Sequence, residues 1–192
     1  MTIDTIREAL AHTNTPASDN PNHDPGLVPA GVLLLLYVKD GEVCVLLNRR
    51  TDRVEHHKGE ISFPGGAHDP EDSTILDTAL RETYEEMGVN REDVEILGRL
   101  DQVSTQSRFA ITPFVGTIPS SYPFQASWIE VAEVLEVPLP ILLDPANWRE
   151  MAMAGERGQS GEYAYAYGEH MIWGATARIL TQFLGLIAPT FR

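Results

Sequence analysis

Residues 59–89 read GEISFPGGAHDPEDSTILDTALRETYEEMGV, and this stretch decides much of how the chain folds. One set of its residues recurs at helical spacing and predicts a helix over 73–87, namely Ile75, Leu76, Ala79, Leu80, Thr83 and Met87. Asp72 or Ser73 can cap the beginning of this helix, and Gly88 can end it in a left-handed conformation. Pro64-Gly65-Gly66 predicts a sharp bend before the helix. The stretch therefore predicts a loop, a helix and a second loop in succession.

Three glutamates gather on one side of the predicted helix. Glu82 stands three residues before Glu85 and four before Glu86, so their side chains are neighbours on the helix surface. Their mutual repulsion is increased by the helix dipole, which disfavours negative charge near a C-terminus. A divalent cation such as Mg²⁺ or Mn²⁺ prefers oxygen ligands and would offset this cost. A solvated acidic face is the alternative on charge alone, but the Gly-Gly bend and Arg81 directly before Glu82 favour a metal site.

Strands are predicted on both sides of this stretch. The first two lie at about 31–38 and 42–47, and Lys39-Asp40-Gly41 predicts a tight turn between them. The other predicted elements are a helix over 3–11, strands near 94–103, 110–118 and 162–167, a helical turn over 130–136 and an amphipathic helix over 172–186. This mixture predicts an α/β (α+β) sandwich rather than a doubly wound parallel fold.

The length and composition of the chain restrict its class. The chain has 192 residues, and 14 Lys and Arg against 28 Asp and Glu give a net charge of −14. That charge argues against nonspecific nucleic-acid binding and against anionic membrane surfaces. The longest apolar run, 32–38, has seven residues, and a membrane helix needs about 20. Cys44 is the single cysteine, so no internal disulfide can form; we expect a buried small side chain and a cytoplasmic protein.

The domain organisation follows from where prolines and apolar runs lie. Residues 12–29 hold four prolines among polar residues and read as a loop. We therefore expect an N-terminal helix and loop arm over 1–29 and a single domain over 30–192. Elsewhere, 104–108 could form a polar substrate loop or only a turn. The tryptophans are expected to pack rather than to stack on a base; they are Trp128, Trp148 and Trp173.

A basic stretch lies directly before the acidic helix. Residues 49–58 hold four cations, and two acids reduce their net charge to +2; the cations are Arg49, Arg50, Arg53 and Lys58. Arginine can contact phosphate through two parallel hydrogen bonds. The alternatives here are a phosphate-binding loop and a solvated loop.

The acidic helix resembles the signature of the Nudix hydrolases, G-x5-E-x7-R-E-U-x-E-E-x-G-U, where U is apolar. Residues 81–89, Arg-Glu-Thr-Tyr-Glu-Glu-Met-Gly-Val, match its second half, with Thr83 at the first apolar position. Gly66 matches the first glycine if one residue is inserted, and Glu71 or Asp72 then supplies the displaced acid. The resemblance implies a Nudix-like α/β/α sandwich with a mixed β-sheet and a catalytic loop-helix-loop.

A second pattern is similar to that of the coenzyme A pyrophosphatases within this family. It runs Leu46-Leu47-Asn48-Arg49-Arg50-Thr51, then Gly59, then Phe63-Pro64-Gly65-Gly66. Three positions depart from it, namely Asn48, Thr51 and Glu55. Residues 111–116 and 172–177 also look like members of this subfamily.

This resemblance implies a function and a set of site residues. The function is hydrolysis of the pyrophosphate bond of coenzyme A or its derivatives, with Mg²⁺ or Mn²⁺, to 3′,5′-ADP and 4′-phosphopantetheine. The implied catalytic residues are Arg81, Glu82, Glu85 and Glu86, and the metal ligands are Glu82 and Glu86 first, with Glu85 close behind. Arg81 is expected to anchor a carboxylate such as Glu85. The implied substrate-binding residues are Arg49, Arg50, Lys58, Gly65 and Gly66, with Arg50 the best match.

Other functions remain open at this point. The departures from the subfamily pattern leave ADP-ribose, NADH or a diadenosine polyphosphate as alternative substrates. A binding module that keeps the fold without catalysis is a third alternative, against which the complete set of helix residues argues. The expected partner is a small molecule, with no nucleic acid and no membrane. A homodimer is also left open.

Overall fold

A mixed β-sheet forms the centre of the fold in the computed structural model, which describes residues 1–11, 26–51, 59–151 and 162–188. Its strands are β1 (Val28–Lys39), β2 (Glu42–Arg50), β3 (Ile61–Ser62), β4 (Gly65–Ala67), β5 (Glu95–Arg99), β6 (Val103–Ser104), β7 (Phe109–Thr117) and β8 (Val131–Pro138). Along the sheet the order is β3-β2-β1-β7-β5, while β4 pairs with β1, β6 with β7 and β8 with β2. β1 and β7 pair in parallel, and the other pairs are antiparallel.

Helices cover both faces of this sheet. α1 (Ile3–Ala11) and α4 (Gly174–Ile187) share one core cluster with Leu34 and Leu36 of β1. α2 (Ile75–Met87) shares the other cluster with Leu33 and Leu35. Successive side chains of a strand point to opposite faces, so the apolar run of β1 feeds both clusters. The expected α/β/α sandwich with a mixed sheet is therefore confirmed.

A second, three-stranded sheet lies beside the α4 layer. It consists of β9 (Trp148–Met151), β10 (Glu162–Tyr167) and β11 (His170–Ile172), and α3 (Leu139–Leu143) precedes it. Trp148 packs edge to face on Tyr165, and its indole N–H donates to the backbone carbonyl of Leu142 at 2.9 Å. This tryptophan therefore packs as expected.

The expectation of a helical turn over 130–136 was wrong, because residues 131–136 belong to strand β8 and only Glu130 lies in the turn before it. β8 pairs with β2 over Cys44 to Arg50, and its residues Val131, Leu135 and Val137 are buried against the sheet. Pairing with a central strand overrides weak local preference in such a short segment. Cys44 itself is buried, as expected, and its burial raises the pKa of the thiol.

Helix α2 begins at a different cap residue than expected, but it ends as expected. Thr74, rather than Asp72 or Ser73, is the N-cap, and its hydroxyl accepts a hydrogen bond from the backbone N–H of Asp77. Gly88 ends the helix at a φ of 69°, as expected.

Residues 1–29 do not all form a separate arm, because β1 begins at Val28 and α1 buries Ile6 and Leu10 in the core. Among the described residues, no helix is long and apolar enough to cross a membrane.

Candidate active site

The Gly65-Gly66 bend lies directly against the carboxylate of Glu82. Gly65 has a φ of +148°, and a Cβ there would lie 2.3 Å from the carbonyl oxygen of Gly31 in β1, so only glycine fits. A Cβ on Gly66 would lie 2.5 Å from Cδ of Glu82. The two glycines thus let the backbone pass between β1 and the face of α2 that carries Glu82.

Glu86 is buried and accepts hydrogen bonds from three parts of the chain. Its carboxylate accepts from Asn48 Nδ2 at 2.9 Å, from an Arg50 guanidinium nitrogen at 3.3 Å and from the Gly65 backbone N–H at 3.3 Å. Burial raises the pKa of Glu86 to about 7, against the opposing effect of Arg50 and the Gly65 N–H. The nearby charges of Glu82 and Glu130 raise this pKa further.

Arg81 binds three carboxylates at once. It donates to Asp72 through two hydrogen bonds of 3.0 Å, to Glu82 at 2.9 Å and to Glu85 at 3.2 Å. The hydrogen bond from Arg81 is the main cause that lowers the pKa of Asp72 to about 2, while burial opposes it. Burial raises the pKa of Glu82, although Arg81 lowers it in part. The expected contact of Arg81 with Glu85 is present, and the stronger partner is Asp72.

Glu71 and Asp72 are the two candidates for the first acid of the signature, and their positions in the structure differ. Its side chain is mostly buried, and it also accepts a hydrogen bond from the Thr78 hydroxyl at 2.8 Å. Glu71 is exposed, and its backbone N–H donates to the carboxylate of Asp69. Asp72, rather than Glu71, is therefore the acid that the fold connects to Arg81.

A cavity of about 350 Å³ collects most of the predicted site residues. It lies between α2, the bend and the first turn of α4, and the predicted residues in its wall are Arg50, Gly65, Gly66, Glu82 and Glu86. Arg49 does not line it, and its Nε binds Glu133 at 3.2 Å instead. Glu85 also lies outside the wall and is half exposed. Lys58 lies outside the described residues.

Two acids in this cavity carry no sequence signal. Glu60 and Glu130 line it together with Glu82 and Glu86. The backbone carbonyl of Glu130 accepts from the Thr51 N–H at 2.9 Å. These glutamates lie outside the signature, and Glu130 is the first residue of the segment expected to be a helical turn. Only the pairing of β8 with β2 brings Glu130 into the site.

This donor set fits a hard divalent cation. In the described part of the chain, no group of three acidic, histidine or cysteine side chains forms a complete metal cage. Mg²⁺ does not require one, because it keeps several waters and binds through one or two carboxylates and substrate phosphates. Glu82 and Glu86 supply such carboxylates, and both have a raised pKa. A cation would favour their charged forms and so offset the cost of burying them.

The other wall of the cavity is mostly apolar and belongs to the α4 layer. Trp173 lines it and is 46% exposed, so the expectation that this tryptophan packs was wrong. Trp128 is 71% exposed and does not pack in the core either. Thr105 and Ser107 also line the cavity, from a turn before β7. After Ser104, which ends β6, residues 105–108 therefore form a turn, and two of its residues line the cavity.

Comparison with known proteins gives close relatives in sequence. The NUDIX domain family model matches residues 27–148, more than half of the chain. The protein named uncharacterized Nudix hydrolase NudL of Photorhabdus laumondii is 36% identical over 165 residues, which are 86% of this chain and 84% of the relative. Its namesake in Yersinia pestis (strain Pestoides F) is 36% identical over 139 residues, which are 72% and 70% of the two chains.

Solved structures agree with this match at the level of the fold. A MutT/nudix family protein from Enterococcus faecalis has a TM-score of 0.55 at 15% identity, covering 98% of this chain and 70% of its own. A C. elegans Ap4A hydrolase binary complex has a TM-score of 0.50 at 19% identity, covering 59% and 82%. Together with the family model and the relatives, the arrangement of the acidic helix and the glycine bend shows that this chain belongs to the Nudix hydrolases, enzymes that act on nucleoside diphosphate derivatives and generally use divalent metal cations.

Proposed function

We propose that this enzyme is a Mg²⁺- or Mn²⁺-dependent coenzyme A diphosphatase of the cytoplasm. Water would add its oxygen to one phosphorus of the pyrophosphate, and the bridging P–O bond would break. The products would be 3′,5′-ADP and 4′-phosphopantetheine, or its acyl form when the substrate is a thioester.

One observation carries this proposal. The upstream stretch that resembles the coenzyme A pyrophosphatases places Arg50 and Gly65, which match the pattern, within hydrogen-bond distance of the Glu86 carboxylate. Asn48, which departs from the pattern, donates to the same carboxylate. The pattern is therefore built into the geometry of the catalytic cavity. This supports reading it as a functional unit rather than as a chance likeness of loop sequences.

Two of the three residues that depart from that pattern make buried contacts within the fold. Asn48 is buried, and its amide group binds both Glu86 and the Ser62 hydroxyl. Thr51 is also buried, and its hydroxyl donates to the backbone carbonyl of Ile129 at 2.6 Å. Neither residue lines the cavity, so these departures weaken the coenzyme A assignment less than substrate contacts would. The third, Glu55, lies outside the described residues.

The residues of the cavity would divide the work between binding and positioning. Glu82 and Glu86 would hold the cation, which when bound neutralises phosphate oxygens and lowers the pKa of a coordinated water. Arg50 would bind a substrate phosphate, because its guanidinium group lies at the cavity wall. The buried Nε of Arg50 has no hydrogen-bond partner among the described residues. No hydrogen bond at that atom therefore has to break when the guanidinium group binds a phosphate. Arg81 would act through the carboxylates of Glu82 and Glu85.

The basic stretch would read the 3′-phosphate that distinguishes coenzyme A from many nucleotides. Arg49 and Arg50 end strand β2, and Arg50 lines the cavity. Arg53 and Lys58 follow in residues outside the described part. A substrate that lacks the 3′-phosphate would lose this charge contact. Dephospho-coenzyme A is therefore a suitable comparison substrate.

The direct test is hydrolysis by the purified full chain with Mg²⁺ or Mn²⁺. Coenzyme A, dephospho-coenzyme A, ADP-ribose, NADH and diadenosine tetraphosphate are compared by kcat/KM, and mass spectrometry identifies the products. We expect the highest kcat/KM for coenzyme A or a thioester of it, with 4′-phosphopantetheine or its acyl form as a product. Intact coenzyme A under conditions that hydrolyse another of these substrates would reject the assignment.

A further inference from the structure

We infer that the apolar wall of the cavity, with Trp173 at its rim, binds the pantetheine arm of the substrate and so selects for it. This inference rests on the proposed function and adds the residues that recognise the part of the substrate remote from the phosphates. It concerns a side chain that lies on the α4 layer, across the cavity from the catalytic helix.

Trp173 lines the cavity at the beginning of α4. It is the N-cap residue of α4, and Gly174 follows with a φ of +64°, a conformation that favours glycine. Nearly half of its surface is exposed. Among the described residues, its side chain makes no hydrogen bond and no ring contact. An exposed indole in the wall of a ligand cavity suits an apolar or stacking contact with the ligand.

The rest of this wall is apolar and continuous with the catalytic carboxylates. Val32 of β1 and Ile111 of β7 line it, and Ala175 and Ile179 of α4 lie beside them. Val32, Ile111 and Ala175 pack on the core cluster of the α4 layer, and Ile179 belongs to that cluster. The cavity therefore leads from the carboxylates of α2 to an apolar surface on the other side of the sheet.

The charge distribution assigns the arm, rather than the nucleotide, to this wall. The diphosphate belongs at Glu82 and Glu86 through the cation, and the 3′-phosphate belongs near Arg50. Burying a phosphate against apolar side chains without a cationic partner would be costly. The pantetheine arm carries no charge, and its two amides can hydrogen-bond to hydroxyls such as those of Thr105 and Ser107 in the same cavity. A mostly apolar wall with a few polar groups suits such a chain.

The test compares substrates with and without the arm in the Trp173→Ala variant. We expect kcat/KM for coenzyme A to fall on the order of tenfold, the scale of a lost apolar contact in a pocket. For ADP-ribose, which has the diphosphate but no arm, we expect kcat/KM to stay within about twofold of wild type. Met171→Ala is the matched control, because Met171 is 40% exposed on the neighbouring strand and does not line the cavity. Equal losses for both substrates, or no loss for coenzyme A, would overturn the inference.

A binding measurement separates this inference from the proposed function. The probe is 4′-phosphopantetheine, titrated into wild type, Trp173→Ala and Met171→Ala with Mg²⁺ present and followed by calorimetry. We expect a Kd about tenfold higher in Trp173→Ala only. If wild type leaves coenzyme A intact but this pattern appears, the function fails while the arm site stands. If wild type hydrolyses coenzyme A and the Kd is the same in all three proteins, the function stands and the arm site is rejected.

Discussion

Arg81 lies against Asp72 with two parallel N–H···O hydrogen bonds of 3.0 Å, nine residues apart in the chain. The same guanidinium group also holds Glu82 and Glu85. Asp72 precedes α2, so it fixes Arg81 from outside the helix, while Glu82 faces the cavity. Asp72 does not line the cavity, and we therefore infer that it positions Glu82 through Arg81 rather than touching substrate.

Replacing Asp72 by Asn should therefore reduce both activity and stability. The Asn side chain keeps the shape but loses the charge that orients Arg81, and we expect kcat to fall about tenfold, the scale reported for residues that orient metal ligands. The free energy of unfolding should fall by about 1–2 kcal/mol, because Arg81 is partly exposed and solvent screens the pair. Steady-state kinetics and urea unfolding measure the two effects.

The matched control is Glu71→Gln, which neutralises the exposed acid next to Asp72. Neither kcat nor stability should change measurably, since the side chain of Glu71 has no role in orienting Arg81. The pH dependence gives a second check. The folded pKa of Asp72 is below its usual value, so its stabilising effect should be present above about pH 4 and disappear as the pH falls toward 2. An Asp72→Asn protein with unchanged acid stability would contradict this view.

Glu86→Gln should abolish turnover and change how stability depends on pH. The folded pKa of Glu86 is about 7 because of burial, above its usual value of 4.5. The folded protein therefore binds this proton more tightly, and the free energy of unfolding should fall as the pH rises from about 4.5 to 7. In EDTA, the wild type should lose up to about 3 kcal/mol over this range through this group. The Gln variant should lack that contribution.

Urea unfolding at several pH values measures the difference between the two proteins. The difference isolates Glu86, because the other titrating groups are common to both. Addition of Mg²⁺ should stabilise wild type more at pH 8 than at pH 5, since the cation favours the charged carboxylate. Equal pH slopes in EDTA, or a fully active Gln variant, would remove Glu86 from the site.

The sequence predicts helix α2 well because the information that specifies it is local. Residues of one sector recur every three or four positions over 75–87, and the three glutamates follow from the same spacing. Gly88 likewise stops the helix for a reason contained in one residue. These features need no knowledge of which strands pair.

The parts of the site that the sequence did not predict depend on contacts between distant residues. Asn48 and Glu86 are 38 positions apart, and their hydrogen bond forms because strand β2 contributes to the core cluster that α2 covers. Glu130 enters the cavity only because β8 pairs with β2, where a helical turn was expected. Trp173 has an apolar side chain that packing alone would bury, yet it lies at the cavity wall. No local pattern carries this information.

Glu130→Gln should weaken metal binding although the residue lies outside the signature. Its charge raises the pKa of both Glu82 and Glu86 and lies in the same cavity wall. Removing a negative charge next to a cation reduces the local attraction, and we expect the Kd for Mn²⁺ to rise about tenfold. Calorimetric titration with Mn²⁺ measures this directly. Glu133→Gln is the control, because Glu133 binds Arg49 and His170 away from the cavity, and its Kd should match wild type.

Gly66→Ala should displace Glu82 and leave the rest of the fold intact. The added Cβ would lie 2.5 Å from Cδ of Glu82, so the carboxylate must move away from the bend. Glu82 is held by Arg81 and is mostly buried, which restricts where it can go. A displacement of about 1 Å in a catalytic group costs on the order of a hundredfold in rate, so kcat should fall by about that factor.

The control is Gly185→Ala, which adds the same methyl group where nothing lies within 4 Å. This variant should keep full activity, and its free energy of unfolding should rise by up to about 1 kcal/mol. Kinetics and thermal unfolding of both variants test this, and a Gly66→Ala enzyme as active as Gly185→Ala would show that the bend does not position Glu82.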